Sequence, residues 1–347
     1  MENIDGFTDA QVKKINKKLN KKILAFELEA RRRVLVGSHK IATQVVQLVI
    51  DSISNSKSDK ETAFIIKNIT NLLVSHFPTD IIIKNICEKI LEKLEEEIPK
   101  AGSDSFIARS HSTSLIDILL TTKNTNIQNQ TESLWSSMNE NLSFIRDELS
   151  TTYENIAQNA PNFIFANDII MTLGYSSSML SFFTVKRFYN LTVVIPERSP
   201  ENDGMIMAKK LKNAGVNVYL IPDSAIFAIL PKVSKVIVSA HTVFVNGGIL
   251  SFSLANSVAL AAKHYNIPFI ALYWRLKMSY EMPKPRKSYT SLNTPQHVFN
   301  TTDPNTSNCV VMHPECEYVP PELITLMINQ DGAHCPSDVF SLASNNL

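Results

Sequence analysis

Residues 191–224 have the sequence LTVVIPERSPENDGMIMAKKLKNAGVNVYLIPDS. A β-branched run, Leu191 to Ile195, stops at Pro196 and predicts a short buried strand. The apolar residues between Gly204 and Ala214 recur three and four positions apart, which predicts a helix. A second apolar run, Val216 to Ile221, predicts the next strand. Strand, helix and strand at this spacing are typical of parallel strands joined by right-handed crossovers.

The same alternation continues along the C-terminal half of the chain. The hydrophobic period changes at Asn162, so we expect an N-terminal helical domain over residues 1–160 and a C-terminal α/β domain over residues 161–347. The other elements predicted for the second domain are a segment Phe163–Leu173 that ends at Gly174, helices over Ser177–Phe188, Ser224–Leu230, Ser253–Tyr265 and Val319–Ile328, strands over Lys235–Val238 and Ile267–Leu272, and an irregular insertion over residues 283–308.

The first 160 residues show helical spacing almost throughout. Predicted helices cover Thr8–Glu29, Val34–Ile53, Glu61–Val74, Asp80–Glu97 and about Thr131–Ala157. The predicted fold class therefore combines an N-terminal helical bundle with a Rossmann-like parallel sheet domain that carries helices on both faces.

Composition and charge narrow the class of protein. The 347 residues are 44% hydrophobic, enough to bury a core in each of two domains. The formal net charge of +1 gives no global attraction to nucleic acid or to a membrane. The four cysteines are scattered, and neither a secretory signal nor a long apolar run is visible. We expect a soluble cytoplasmic protein that recognises its partners locally.

Paired lysines recur near the N-terminus, at Lys13-Lys14, Lys17-Lys18 and Lys21-Lys22. They lie opposite the predicted apolar stripe of Val12, Ile15, Leu19, Ile23 and Phe26, so a solvated helix face explains them. A helix that binds a partner is the alternative interpretation. No aromatic residues are interleaved with the lysines, so stacking on single-stranded nucleic acid is not indicated.

The C-terminal region contains a group of possible metal ligands. Their spacing is unlike that of structural zinc sites, because two of them are adjacent in sequence and cannot easily face one ion. We therefore expect no metal and no cofactor. The group consists of Cys309, His313, Cys316, His334 and Cys335.

Polar residues follow the predicted strands at their carboxyl ends, where an open α/β sheet places its ligands. No glycine-rich phosphate loop and no nucleophile elbow occurs in the sequence. Each residue also has a structural interpretation, since Asp223 could cap the following helix and Asn246-Gly247 could form a tight turn. The candidate crevice residues are Gly174, Tyr175, Ser176, Glu197, Arg198, Asp223, His241, Asn246 and Gly247.

Several segments together resemble the regulatory alpha, beta and delta subunits of eukaryotic translation initiation factor 2B, which share a fold with ribose-phosphate isomerases. The beta members are the most similar, and the delta members are the alternative because Ser239-Ala240-His241 resembles their version of that strand end. The resemblance is carried by NDIIMTLGYS (167–176), PDSAIFAIL (222–230), VSKVIVSAHTVFVNGG (233–248), LAAKHYNIPFIAL (260–272) and YVPPELITL (318–326).

The resemblance implies a scaffold without catalysis. The related isomerases use a cysteine after the first strand and an aspartate after the fourth, and the matching positions here are Gly174 and His241. Neither residue supplies the same acid and base groups. A sugar phosphate or a nucleotide in the crevice would then be a regulatory ligand, and an isomerase with a rearranged site is the alternative.

The resemblance also implies partners. Members of this family assemble with gamma and epsilon subunits, which carry out guanine-nucleotide exchange on initiation factor 2. The alpha, beta and delta subunits sense phosphorylation of the substrate's alpha subunit. A beta member is expected to pair with a delta subunit through its C-terminal domain, and its helical domain is expected to contact the substrate. Direct binding to nucleic acid or to a membrane is not expected.

Overall fold

The computed structural model describes residues 9–32, 37–54, 56, 58–78, 80–97, 134–186, 188–283, 292–298 and 309–344. The chain divides into two compact units, Met1–Ser150 and Thr151–Leu347. The predicted boundary at residue 160 lies close to this division, and we retain it as a proposal for where the domains separate.

The first unit is helical. Its helices are α1 (Asp9–Arg31), α2 (Ser38–Ile53), α3 (Asp59–His76), α4 (Ile81–Glu97) and α5 (Leu134–Ala157), the last of which continues into the second unit. Five predicted helices therefore match within a few residues. Residues 98–133, which include the predicted start of α5 at Thr131, lie outside the described residues.

Each helix of this unit buries one face. In α1 the predicted stripe is buried at Leu19, Ile23 and Phe26, and the Phe26 ring meets Phe77 edge to face at 5.4 Å between ring centroids. Helix α3 begins at an N-cap serine, Ser58, whose side chain accepts a hydrogen bond from the Glu61 backbone N–H. The core of the unit comes from aliphatic residues spaced at helical intervals, as expected for a bundle.

The second unit is built on a mostly parallel sheet, so the predicted fold class is confirmed. Its strands are β1 (Ile169–Met171), β2 (Thr192–Pro196), β3 (Asn217–Ile221), β4 (Lys235–Phe244), β5 (Ile249–Phe252), β6 (Phe269–Leu272), β7 (Met278–Ser279), β8 (Cys316–Val319), β9 (Leu326–Asn329) and β10 (Gly332–His334). Its helices are α6 (Ser177–Thr184), α7 (Asp203–Asn213), α8 (Ile226–Ile229), α9 (Ala255–His264) and α10 (Val339–Ser344).

The main path of the sheet runs β10-β9-β6-β4-β1-β2-β3. Neighbouring strands along it are parallel except for β9 and β10. Strand β3 is at one edge, and Tyr219 and Leu220 on it are 63% and 46% exposed. An edge strand presents backbone groups that no neighbour pairs.

Strand β4 has two roles. Its first half pairs in parallel with β1 and β6, and its second half forms an antiparallel hairpin with β5, which in turn pairs with β8. The pairing register shifts between Ala240 and Thr242, which places His241 at a bulge. The prediction ended this strand at Val238, six residues too early.

One predicted helix is wrong, and another is only partly α-helical. Residues 319–328 form the end of β8, a 3-10 turn over Pro321–Leu323 and the strand β9. Strand pairing with β6 outweighs the helical signal of the paired prolines. Residues 224–230 are helical as predicted, although only α8 is an α-helix and 3-10 turns flank it on both sides. In the predicted insertion, residues 284–291 and 299–308 lie outside the described residues.

Candidate functional site

The carboxyl ends of β1, β2 and β3 meet at one edge of the sheet, as parallel strands do. Gly174 follows β1, Arg198 follows β2 and Asp223 follows β3. Asp203, at the start of α7, links the first two of these loops. We refer to Gly174, Arg198, Asp203, Phe252 and His241 as the crevice cluster.

Arg198 is at the centre of the crevice cluster, and only 5% of the residue is exposed. Its guanidinium makes two hydrogen bonds to the Asp203 carboxylate, from Nε at 2.6 Å and from Nη2 at 2.8 Å. Its Nη1 donates to the Ser253 hydroxyl at 3.1 Å, and the guanidinium stacks 4.7 Å from the Phe252 ring centroid. The charge of Arg198 is therefore neutralised within the chain.

Asp223 fixes the backbone of the same loop. Its two carboxylate oxygens accept hydrogen bonds from the Arg198 N–H at 2.8 Å and from the Ser199 N–H at 2.7 Å. Arg198 has a left-handed backbone with φ 57°, a conformation that costs free energy in a residue with a side chain. Asp223 does not cap the following helix, where no side-chain cap is present, and it instead stabilises the Arg198 loop.

Gly174 leaves no room for a side chain. Its φ is +60°, and a Cβ atom here would lie 2.9 Å from the Phe252 ring and 3.0 Å from the Asp203 carboxylate. The next residue, Tyr175, donates its backbone N–H to Asp203 at 3.3 Å and accepts a hydrogen bond from Lys210 on its hydroxyl at 2.7 Å. Ser176 precedes α6 without a side-chain cap. The Phe252 ring thus occupies the space that a side chain at position 174 would need.

His241 packs against the same ring, with 4.5 Å between ring centroids. Its Nδ1 is buried and has no hydrogen-bond partner among the described residues. Burial lowers the pKa of the imidazole to about 3, and the charges of Lys277 and Arg198 act in the same direction. His241 is therefore neutral at physiological pH, whereas a carboxylate would carry a negative charge at neutral pH.

Sequence reasoning missed Phe252, Asp203 and Lys277. Lys277 is 5% exposed, and its ammonium donates to the Ala240 carbonyl at 2.7 Å. Burial lowers the pKa of Lys277 to about 8, while burial raises the pKa of the nearby Cys316 thiol to about 12. A lone lysine between the apolar residues Leu276 and Met278 was the only sequence signal for this cation.

His241 is expected to make the fold less stable in acid. Because its folded pKa of about 3 lies below the ordinary 6.5, the unfolded chain binds the proton more tightly between these values. Stability then falls as the pH falls through this window, by at most about 1.4 kcal/mol per pH unit. Urea unfolding between about pH 6.5 and pH 5 should show a shallower pH slope in His241→Gln than in the parent chain. Equal slopes would contradict the burial of the ring.

The remaining candidates lie elsewhere or have backbone roles. Asn246 and Gly247 form the tight turn of the β4–β5 hairpin, where the Gly248 N–H donates to the Asn246 side chain and Asn246 donates to the Tyr318 hydroxyl at 2.8 Å. Glu197 follows β2, and its backbone N–H bonds to the Ile221 carbonyl. The structure therefore brings Gly174, Arg198 and His241 together around Phe252. The hydrogen bonds of Asn246 in the hairpin turn are made outside that cluster.

Neither a metal centre nor a membrane span is found in the part of the chain that the structure describes. Within those residues, no group of three His, Cys, Asp or Glu side chains is arranged to hold a metal ion. Cys309 and Cys335 are exposed, and Cys316 is partly buried. None of the described helices is both long and apolar enough to cross a bilayer.

Comparisons with known proteins agree with this architecture. The chain is 29% identical over 211 residues to translation initiation factor eIF2B subunit beta of Dictyostelium discoideum, a match covering 60% of this chain and 54% of that protein. It is 30% identical over 204 residues to the same subunit of Schizosaccharomyces pombe, covering 57% and 52%. The chain thus spans about half the length of the curated relatives it matches.

Solved structures share the fold. The eIF2B beta structure from Chaetomium thermophilum has a TM-score of 0.67 at 21% identity and covers 98% of this chain and 96% of its own. A chain of the tetrameric eIF2B beta2-delta2 complex from C. thermophilum has a TM-score of 0.68 at 20% identity and covers 98% and 100%. The predicted resemblance, with the beta subunits among its matches, is confirmed. The model of the Initiation factor 2 subunit family matches residues 34–336, and the chain belongs to that family.

Proposed function

We propose that this chain is a non-catalytic, beta-type regulatory subunit of the guanine-nucleotide exchange factor for initiation factor 2. The observation that carries the proposal is the crevice cluster. Where the related isomerases have a thiol and a carboxylate, this chain has Gly174 beneath the Phe252 ring and a neutral His241. Because that thiol and that carboxylate are absent, binding and assembly are the functions we assign to the site.

Exposed apolar residues on the second unit support an assembly role. Tyr219 and Leu220 lie on the edge strand β3, Phe227 on α8 is 51% exposed and Leu260 on α9 is 54% exposed. Phe227 also packs against Tyr265 with 4.9 Å between ring centroids, so its ring is held at the surface. Large exposed apolar side chains on neighbouring elements favour a protein partner. We propose the delta subunit as that partner, with alpha, gamma and epsilon subunits joining the same cytoplasmic complex.

Co-expression tests this proposal. The chain alone is expected to self-associate or precipitate, and a delta subunit should restore a soluble complex. Tyr219→Ser with Phe227→Ser should reduce recovery of that complex at least about tenfold. Val185→Ser with Tyr189→Ser removes exposed apolar side chains elsewhere on the unit and should leave recovery unchanged. A stable monomer that ignores the delta subunit would contradict the proposal.

A second experiment tests the regulatory role. In this proposal the phosphate adds negative charge to the substrate's alpha subunit, and a coupling free energy of about 1–3 kcal/mol is enough to change its binding mode. Nucleotide exchange by complexes with and without this chain should be compared on phosphorylated and unphosphorylated substrate. Inhibition by the phosphorylated form should depend on the chain. If the native complex already contains a separate beta subunit beside this chain, then this chain is the delta subunit instead.

A ligand in the crevice is a second candidate function. The ammonium of Lys277 makes no ion pair with the described acidic residues, and a small anion such as a sugar phosphate could offset its burial. Ribose 1,5-bisphosphate should then raise the melting temperature of the parent chain but not of Lys277→Met. Turnover of this compound or of methylthioribose 1-phosphate, abolished in His241→Gln, would instead favour a rearranged isomerase.

A further inference from the structure

Helix α1 carries an exposed surface that neither the core nor the crevice uses. The side chains of Lys13, Lys17 and Lys21 are exposed, and Leu24 and Leu28 continue the same row at 51% and 52% exposure. At 100° per residue these five positions fall within about 80° of the helix circumference. They lie opposite Leu19, Ile23 and Phe26, which are buried. We call Lys13, Lys17, Lys21, Leu24 and Leu28 the α1 ridge, and Lys18 is a further exposed lysine beside it.

The lysines on and beside the ridge form a run of positive charge. None of Lys13, Lys17, Lys18 and Lys21 forms an ion pair with another described residue, and no acidic residue occurs between positions 13 and 26. Lys22 is different, because it turns inward and donates to the Asp51 carbonyl at 2.7 Å and to the Ser52 hydroxyl at 3.2 Å. The charge of Lys18 contributes to a lowered pKa at Lys22, after burial. Positive charge therefore accumulates along the ridge.

We propose that the α1 ridge binds an acidic amphipathic helix of a partner protein. Lysines four residues apart are about 6 Å apart along the axis, the same spacing as acidic residues four apart on a facing helix. Leu24 and Leu28 provide an apolar contact at one end of the ridge, which a helix with adjoining leucines would cover.

The composition of the ridge disfavours other anionic partners. Single-stranded nucleic acid binds best where aromatic side chains alternate with basic ones, and the ridge has no aromatic residue. Two leucines are a small apolar area for insertion into a lipid surface, where membrane-binding helices bury a whole apolar face. The buried face of α1 is already committed to the core at Leu19, Ile23 and Phe26.

Fluorescence anisotropy tests the inference with a labelled probe helix that has glutamate at every fourth position and two adjoining leucines. The full chain is used, or the co-expressed complex if the chain needs it for solubility. Replacing Lys13, Lys17, Lys18 and Lys21 with glutamine should weaken binding at least about tenfold, and added salt should weaken binding to the parent chain. Leu24→Ser with Leu28→Ser should weaken it about threefold or more.

The matched control replaces four exposed lysines of the second unit, Lys186, Lys209, Lys212 and Lys232, with glutamine. This variant carries the same change in charge and should bind the probe like the parent. Equal losses in both quadruple variants would overturn the proposal, because the attraction would then be nonspecific. Tighter binding of a poly-uridine oligonucleotide, or of vesicles rich in phosphatidylserine, would overturn it in favour of another class of partner. Because the probe is independent of the delta subunit, failure here leaves the proposed function standing.

Discussion

Asp203→Ala is expected to lower the free energy of unfolding of the second unit by about 3–5 kcal/mol. The substitution leaves the Arg198 guanidinium buried without its carboxylate partner, and it removes the acceptor of the Tyr175 backbone N–H. Only the Ser253 hydroxyl would remain as a hydrogen-bond partner of the guanidinium among the described residues. Urea denaturation followed by circular dichroism measures the loss.

A double substitution separates the buried charge from other effects. Arg198→Met in the Asp203→Ala background removes the unpaired cation and should restore part of the lost stability. Glu95→Ala, at an exposed position of α4, should change stability by less than about 0.5 kcal/mol. If Arg198→Met only adds to the loss in Asp203→Ala, the pairing is not what stabilises the loop.

Gly174→Cys, which introduces the thiol that the resemblance implies for the related isomerases, is expected to destabilise the chain by about 2–4 kcal/mol and to produce no turnover of ribose 1,5-bisphosphate. The new Cβ would meet the Phe252 ring at 2.9 Å on a left-handed backbone. That ring cannot easily turn aside, because it is packed against both the Arg198 guanidinium and the His241 imidazole.

Gly215→Cys is the matched control for this substitution. Gly215 also has a positive φ of +84°, but a Cβ added there would meet no atom within 4 Å. The free energy of unfolding that Gly215→Cys loses, about 1–2 kcal/mol, measures backbone strain alone. Adding Phe252→Ala should restore stability to Gly174→Cys, because it removes the ring that the new Cβ meets, but it should not restore stability to Gly215→Cys. Full stability and isomerase turnover in Gly174→Cys would contradict our account of the crevice.

The parallel strands were predictable because each is a short β-branched run between turn residues. Strand β2 ends at Pro196 and β3 follows Gly215, so local chemistry marks both. The extension of β4 past Val238 was not predictable in this way, since Ser239, His241 and Thr242 interrupt the apolar run. Strand β9 depends on pairing with β6, which is more than fifty residues away in sequence. The local sequence of β9 does not predict such a pairing.

The residues of the crevice were also only partly predictable from local sequence. Gly174, Arg198, Asp223 and His241 were proposed because each follows a predicted strand. Gly174, Arg198 and Asp223 do follow β1, β2 and β3, whereas His241 lies within β4, at its bulge. Phe252 ends β5 and Lys277 directly precedes β7, and both strands pair with the second half of β4. Only the folded chain therefore shows that these two residues fill the space between the strand ends. Asn246 and Gly247 also follow β4, but they lie in the turn of the β4–β5 hairpin and not in the crevice cluster.

The exposed edge at β3 also affects the concentration at which the chain can remain folded in a cell. Among the described strands, β3 ends the sheet, so its edge can add strands from other copies of the chain, and the rate of that reaction rises with concentration. Surplus chain would therefore be lost to aggregates or to proteolysis. If a partner subunit covers this edge, as we propose, the supply of that partner would limit how much of the chain persists.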